Sequence, residues 1–276
     1  MSEPADTSPD AAEVLTCVHP GAEGNILEIT INRAAVHNCV NGTAAAQLLS
    51  AWQRFQNDDS LLVAVLHGAG DKSFCSGADL TALDQLATLG EHPASSGELR
   101  QHGAGPMGGT RLVQVKPVIT MAQGYAYAGG LELFCHGHIR IAEPQASFSV
   151  ACRRWGVPLV DGGTVYLPRL LGWGSALPLI ITGERISAAR AQQIGLVWEV
   201  VPTGTGLARA LDIARQICQQ PRDAMLADLN SAINGLHLPM EDALDVEAAN
   251  MYRVMRSEST ARGLARFASG ERFWFK

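Results

Sequence analysis

Two short stretches of this sequence put small residues beside groups capable of chemistry. The first is Ser76-Gly77-Ala78-Asp79-Leu80; the second runs Gly124-Tyr125-Ala126-Tyr127-Ala128-Gly129-Gly130-Leu131-Glu132-Leu133. Each reads as a turn leading into an apolar helix. Small residues at a helix start leave backbone N–H groups uncovered and let a ligand come close to the chain. Two such N–H groups from separate segments can converge on one oxygen, which stabilises a carbonyl oxygen that is becoming an oxyanion. A phosphate cradle fits less well. Neither stretch matches G-x-x-x-x-G-K-[ST], and no G-x-G-x-x-G follows a strand with an acid downstream. Glu132 falls in the first turn of its helix, where exposed N–H groups favour the anion and apolar surroundings raise the pKa. That opposition suits a group that gains and loses a proton near neutrality. The plainer reading is a carboxylate that caps its own helix start.

These turns need a scaffold, and the patterning supplies an α/β one. Residues 14–18 and 25–31 mix apolar and β-branched types around a Pro- and Gly-containing turn, the mark of a hairpin. From Asn41 to Asn57 the apolar residues recur at three and four positions, giving an amphipathic helix with Asn41 as its cap. Residues 61–66 and 118–122 are nearly continuous apolar runs, as in strands buried on both faces. Strand, helix and strand repeating in this way predict crossovers and a largely parallel sheet. Residues 90–109, rich in Gly, Ser, Pro and Ala, read as a functional or mobile loop. Beyond Pro202-Thr203-Gly204 the pattern turns helical, with helices at 207–218, 223–233, 241–256 and 259–267. The expected organisation is a tail at 1–13, a core at 14–203 and a C-terminal helical region at 204–276.

With 276 residues, 47% hydrophobic and 17% charged, the chain can bury a sizeable core without metal or disulfide staples. A net charge of −6 gives no global attraction to nucleic acid. No apolar run reaches membrane-spanning length, and the acidic first dozen residues lack the features of a leader. The six cysteines are scattered without a C-x-x-C pair, so free thiols in a reducing compartment are expected, with a cytoplasmic location. His136 and His138 stand two apart and cannot share a helix face. A helix end with a surface or interface role is expected there, and no metal site.

Taken together and in this order, the two turns resemble the crotonase (enoyl-CoA hydratase/isomerase) superfamily. Its first signature is matched by Ser76 to Leu80. Its second, Gly-Tyr-Ala-x-Gly-Gly-x-x-Glu-Leu, is matched by Gly124 to Leu133 except that Ala128 stands for the first Gly of the pair. Ile139-Arg140-Ile141-Ala142, Arg154-Trp155-Gly156-Val157-Pro158, Asp161-Gly162-Gly163-Thr164 and Thr182-Gly183-Glu184-Arg185-Ile186-Ser187 extend the likeness over residues 27–267. The resemblance implies a ββα spiral core, a C-terminal helical trimerisation region and assembly as a homotrimer or hexamer. It implies an acyl-CoA thioester as substrate, with coenzyme A carried by that substrate and no separate cofactor. The N–H groups of Ala78 and Gly129 would form the oxyanion hole, with Asp79 and Leu80 on the substrate-binding turn and Glu132 as a catalytic carboxylate. Arg33 and Lys72 would be the cations that hold the CoA phosphates. The aromatic Phe273-Trp274-Phe275 would pack on a neighbouring subunit.

One departure bears on the reaction. Hydratases of the family usually carry a second Glu, four residues after the Phe that matches Phe148, and here that place is taken by Cys152. Asp161 is the nearest replacement, since dienoyl-CoA isomerases of the superfamily hold a catalytic Asp in a similar segment. It reads equally as the cap of a helix beginning at Thr164. Arg153 and Arg154 beside Cys152 would favour a thiolate, although a small buried side chain is the simpler role. The expected activity is acyl-CoA hydration or isomerisation. Another enolate reaction (decarboxylation, C–C cleavage or dehalogenation) and non-catalytic acyl-CoA binding are the alternatives.

Overall fold

The computed structural model describes residues 12–86 and 105–271. Within them, strands alternate between two sheets. The first has β1 (Val14–His19), β2 (Asn25–Ile31), β3 (Leu61–Gly68), β5 (Val118–Ala122), β7 (Ile139–Ala142) and β10 (Glu199–Val200), hydrogen-bonded in that order. Only the β1–β2 hairpin is antiparallel. The second sheet orders β4 (Ser73–Cys75), β6 (Tyr125–Tyr127), β8 (Ser147–Ser149) and β9 (Ile186–Ser187), parallel until its last pair. Thus β3, β5 and β7 are each followed by a short strand of the second sheet, and the chain advances by one ββ step per turn.

β3 lies at the centre of the large sheet, and all eight of its residues are buried, which explains its unbroken apolar run. Leu61, Ala64 and Leu66 face the main core with Trp52, Phe55, Phe74, Phe134 and Phe148. Leu62, Val63 and Val65 face the other way, against Ala210, Ile213 and Ala214. That outer cover is α6 (Gly206–Ile217). The main core is closed by α1 (Gly42–Asn57), α2 (Gly129–Cys135), α3 (Gly163–Leu171) and α4 (Trp173–Thr182). α5 (Ala188–Gln193) leads to β10. Asn41 caps α1 as its sequence predicts, its side chain accepting the N–H of Ala44 at 2.9 Å.

Beyond α6 come α7 (Arg222–Gly235), α8 (Met240–Val254) and α9 (Glu258–Ala268), with α7 packed on both α8 and α9. α6, first of the expected helical region, packs on the core sheet. The expected tail falls outside the described residues except at its end, where Glu13 pairs with Arg33 at 3.2 Å and Asn41 at 3.1 Å. Most of the 90–109 loop and all of Phe273-Trp274-Phe275 also lie outside them. No described helix is long and apolar enough to cross a membrane.

Candidate active site

The two turns singled out above meet. Gly77, at φ +105°, follows β4, and a Cβ built on it would stand 2.9 Å from the Cβ of Ala128 and 3.2 Å from the amide nitrogen of Gly129. Any side chain there would push the turns apart. Val40 clasps the first turn from behind, giving its N–H to the Gly77 carbonyl and accepting the N–H of Asp79, both at 2.8 Å. Across the gap, the Ala128 N–H donates to Ser149 at 2.9 Å, and the Ala128 carbonyl takes the N–H of Leu131 at 3.0 Å. The amides of Asp79, Ala128 and Leu131 are thus engaged. Those of Ala78 and Gly129 donate to no protein acceptor among the described residues. Gly130 lets α2 lie directly on the Cys75 carbonyl. Ala128 holds φ +50° and ψ −123°, where an L residue is strained.

Ala78 and Gly129, the residues that carry these amides, line a cavity that also reaches Glu132, Asp161, Cys152 and Met107. Its rim carries the exposed apolar residues Val36, Leu80 and Trp155. Glu132 is 2% exposed. It does not cap its own helix, because its Oε1 accepts the N–H groups of Asp161 at 2.9 Å and Gly163 at 2.7 Å. Burial, with the Asp161 charge adding to it, outweighs those backbone donors and pushes its pKa up to about 8.

Asp161 is equally buried, and burial raises its pKa too. The capping alternative fails for it: α3 starts after Gly162 with no side-chain cap. Its Oδ1 instead accepts the N–H of Met107 at 3.0 Å and the hydroxyl of Thr110. This fastens the 105–110 turn over the site and seats the Met107 sulfur against Gly129. Sequence reasoning missed Met107 and Thr110, because the Gly-rich stretch around them has no periodicity from which to read a direction. Trp155, Val157 and Pro158 also line the cavity. They belong to a quoted motif but carry no chemistry that would single them out.

The geometry corrects the reading of His136 as a surface residue, and it shows what surrounds Asp79, Arg33 and Lys72. Asp79 borders the cavity through its turn, but its carboxylate is occupied elsewhere. Oδ1 takes the N–H and hydroxyl of Thr81 at 3.1 and 2.7 Å, and Oδ2 takes Arg33 at 3.2 Å. Arg33 is consumed by Asp79, Glu13 and the Cys39 carbonyl, and it does not line the cavity. Lys72 is exposed, also outside the lining. His136 is no surface residue. It is buried with its ring 5.9 Å from those of Trp52 and Tyr166, and burial lowers its pKa to about 4, so the imidazole is neutral. His138 Nδ1 accepts the Val118 N–H at 3.0 Å. At Cys152, burial followed by the Glu132 charge raises the thiol pKa against the pull of Arg153, so no thiolate is favoured.

The cavity thus gathers both small-residue turns, two buried carboxyl groups and a thiol, and comparison with known proteins shows the family to which the chain belongs. The sequence pattern of the enoyl-CoA hydratase/isomerase family matches residues 21–276. An enoyl-CoA hydratase of Mycobacterium tuberculosis is 31% identical over 249 residues, covering 89% of this chain and 91% of its own. A short-chain-enoyl-CoA hydratase of Clostridium acetobutylicum is 32% identical over 228 residues, covering 82% and 84%. The crystal structure of an enoyl-CoA hydratase from Mycobacterium marinum superposes with a TM-score of 0.82 at 29% identity, covering 95% of this chain and 97% of that one. The chain is an enzyme of the enoyl-CoA hydratase/isomerase family, the crotonase superfamily.

Proposed function

We propose that this enzyme hydrates a 2-enoyl-CoA, using Glu132 and Asp161 beside an oxyanion hole made by Ala78 and Gly129. The observation that supports this reading is one cavity lined by Ala78 and Gly129, whose amides have no protein acceptor, and by the buried Glu132 and Asp161. The thioester oxygen accepts both N–H groups, which draws electron density from the C2–C3 double bond towards the oxygen. Ionised Glu132 takes a proton from water as the oxygen of that water adds to C3, and then returns that proton to C2 of the enolate, so that one water is added and the carboxylate is restored. Asp161 stands where it polarises Glu132 and fixes the Met107 turn. No separate cofactor enters this scheme; coenzyme A arrives with the substrate. The exposed Lys72 is the proposed partner of the CoA phosphates, while the engagement of Arg33 favours a bracing role for it.

The names of the relatives support hydration. Cys152, in the place of the family's second Glu, is the feature that leaves isomerisation or another enolate reaction as the competing reading. A panel of enoyl-, dienoyl- and β-keto-CoA thioesters followed by mass and absorbance separates them. The proposal expects crotonyl-CoA to gain the mass of one water. Isomerisation of a dienoyl-CoA or C–C cleavage of a β-ketoacyl thioester without any hydration overturns it, as does the absence of turnover on the whole panel. Assembly as a trimer or hexamer in the cytoplasm completes the proposal, supported by the exposed apolar residues of the last helices, Leu236, Met240, Leu244 and Met255 among them.

A further inference from the structure

Cys152 is a nucleophile set in the wall of a cavity otherwise equipped to polarise a thioester. It shares that cavity with Glu132 and with Ala78 and Gly129, whose N–H groups have no protein acceptor. Cys152 is 7% exposed, and it lies close enough to Glu132 for the carboxylate charge to hinder ionisation of the thiol. An unassisted thiolate is therefore not available, but a base is at hand. A 2-enoyl thioester is a conjugated electrophile whose C3 accepts soft nucleophiles, and a thiol is intrinsically a better one than water.

Resting on the substrate class of the preceding reading, we infer that Cys152 captures 2-enoyl-CoA covalently and reversibly. Its sulfur bonds to C3 while its proton passes to the Glu132 carboxylate. The electron pair of the double bond moves onto the thioester as an enolate, held by the N–H groups of Ala78 and Gly129. Glu132 then returns the proton to C2, leaving a β-thioether that contains the whole acyl-CoA. Nothing is expelled, and no oxidant or reductant takes part. The reverse sequence, with Glu132 removing the C2 proton, expels the thiol and frees the enzyme. While the adduct stands, it occupies the site that turnover needs, so kcat and KM are lowered together.

The test uses the full-length protein with crotonyl-CoA, with intact mass, peptide mapping and substrate hydration read on the same sample. The expected result is a mass gain equal to one crotonyl-CoA on the peptide containing Cys152, reversing on dilution. It should disappear in Cys152→Ser and Cys152→Ala and persist in Cys39→Ser, a variant of a second thiol on the cavity wall. Mapping the native protein locates the adduct even if a variant folds poorly. Hydration without an adduct, or with an adduct on another cysteine only, overturns the covalent capture and leaves the hydratase reading standing. An adduct on Cys152 without hydration upholds the capture and removes that reading. Neither adduct nor hydration overturns both.

Discussion

Oε1 of Glu132 takes two backbone N–H groups while the rest of the site withholds water from it. Those donors favour the anion, and burial with the neighbouring Asp161 opposes it more strongly, which gives a pKa of about 8 against an ordinary 4.5. Glu132→Gln keeps an oxygen for the two donors but removes the exchangeable proton. Turnover should fall by about 10²–10⁴-fold with binding of an acyl-CoA product retained; steady-state kinetics and calorimetry check both. The same shift has a consequence for stability. Between pH 4.5 and about 8 the folded protein keeps a proton that the unfolded chain has lost. The stability contributed by this group is therefore complete below the lower value and lost as pH rises through the upper one. Asp161, also raised, acts in the same direction. The melting temperature of Glu132→Gln should decline less between pH 5 and pH 9 than that of the native enzyme, and an equal decline contradicts the raised pKa. Glu132 was legible from sequence as an acid at an apolar helix start. Its partners were not, because the two N–H groups come from a segment about thirty residues further on. His136 was misread for a related reason. Residue type and spacing exclude a shared helix face, but they do not reveal that the aromatic rings of Trp52 and Tyr166 enclose it.

At the scale of elements, the site depends on α2 lying against the end of β4. Gly130→Ala drives a Cβ into the Cys75 carbonyl, so α2 must shift and carry the Gly129 amide with it. Denaturant unfolding should show a loss of about 1–3 kcal/mol, together with a loss of kcat. A variant with native stability and activity contradicts this packing. Asn41→Ala, which removes the cap of α1 away from the cavity, should cost about 1 kcal/mol in the same assay and leave turnover intact. These two elements differ in how readable they were. α1 announces itself by its cap and its three-and-four spacing. The 105–110 turn owes its position to the Asp161 carboxylate, a contact between residues 54 and 51 positions apart. Such a contact leaves no periodic trace.

The whole molecule repeats one step, a strand of the large sheet followed by a short strand of the small one. The buried runs at 61–66 and 118–122 made the large sheet legible, whereas the three-residue strands of the second sheet are too short to show a pattern. The helical change after residue 204 was legible as well, but sequence could not reveal that α6 returns to cover the large sheet. The helices beyond it leave Leu236, Met240, Leu244 and Met255 exposed, more apolar surface than an isolated chain needs. Light scattering should therefore give the mass of a trimer or hexamer, and Leu244→Asp should shift it downward. A native mass equal to one chain contradicts the proposed assembly. The account as a whole turns on whether the Ala78 and Gly129 amides serve a single oxygen. A crystal structure with bound acetoacetyl-CoA measures this directly. The thioester oxygen is predicted about 3 Å from both amide nitrogens, with C3 of the acyl group facing Glu132. A thioester oxygen turned to solvent, or one held by neither amide, contradicts the account.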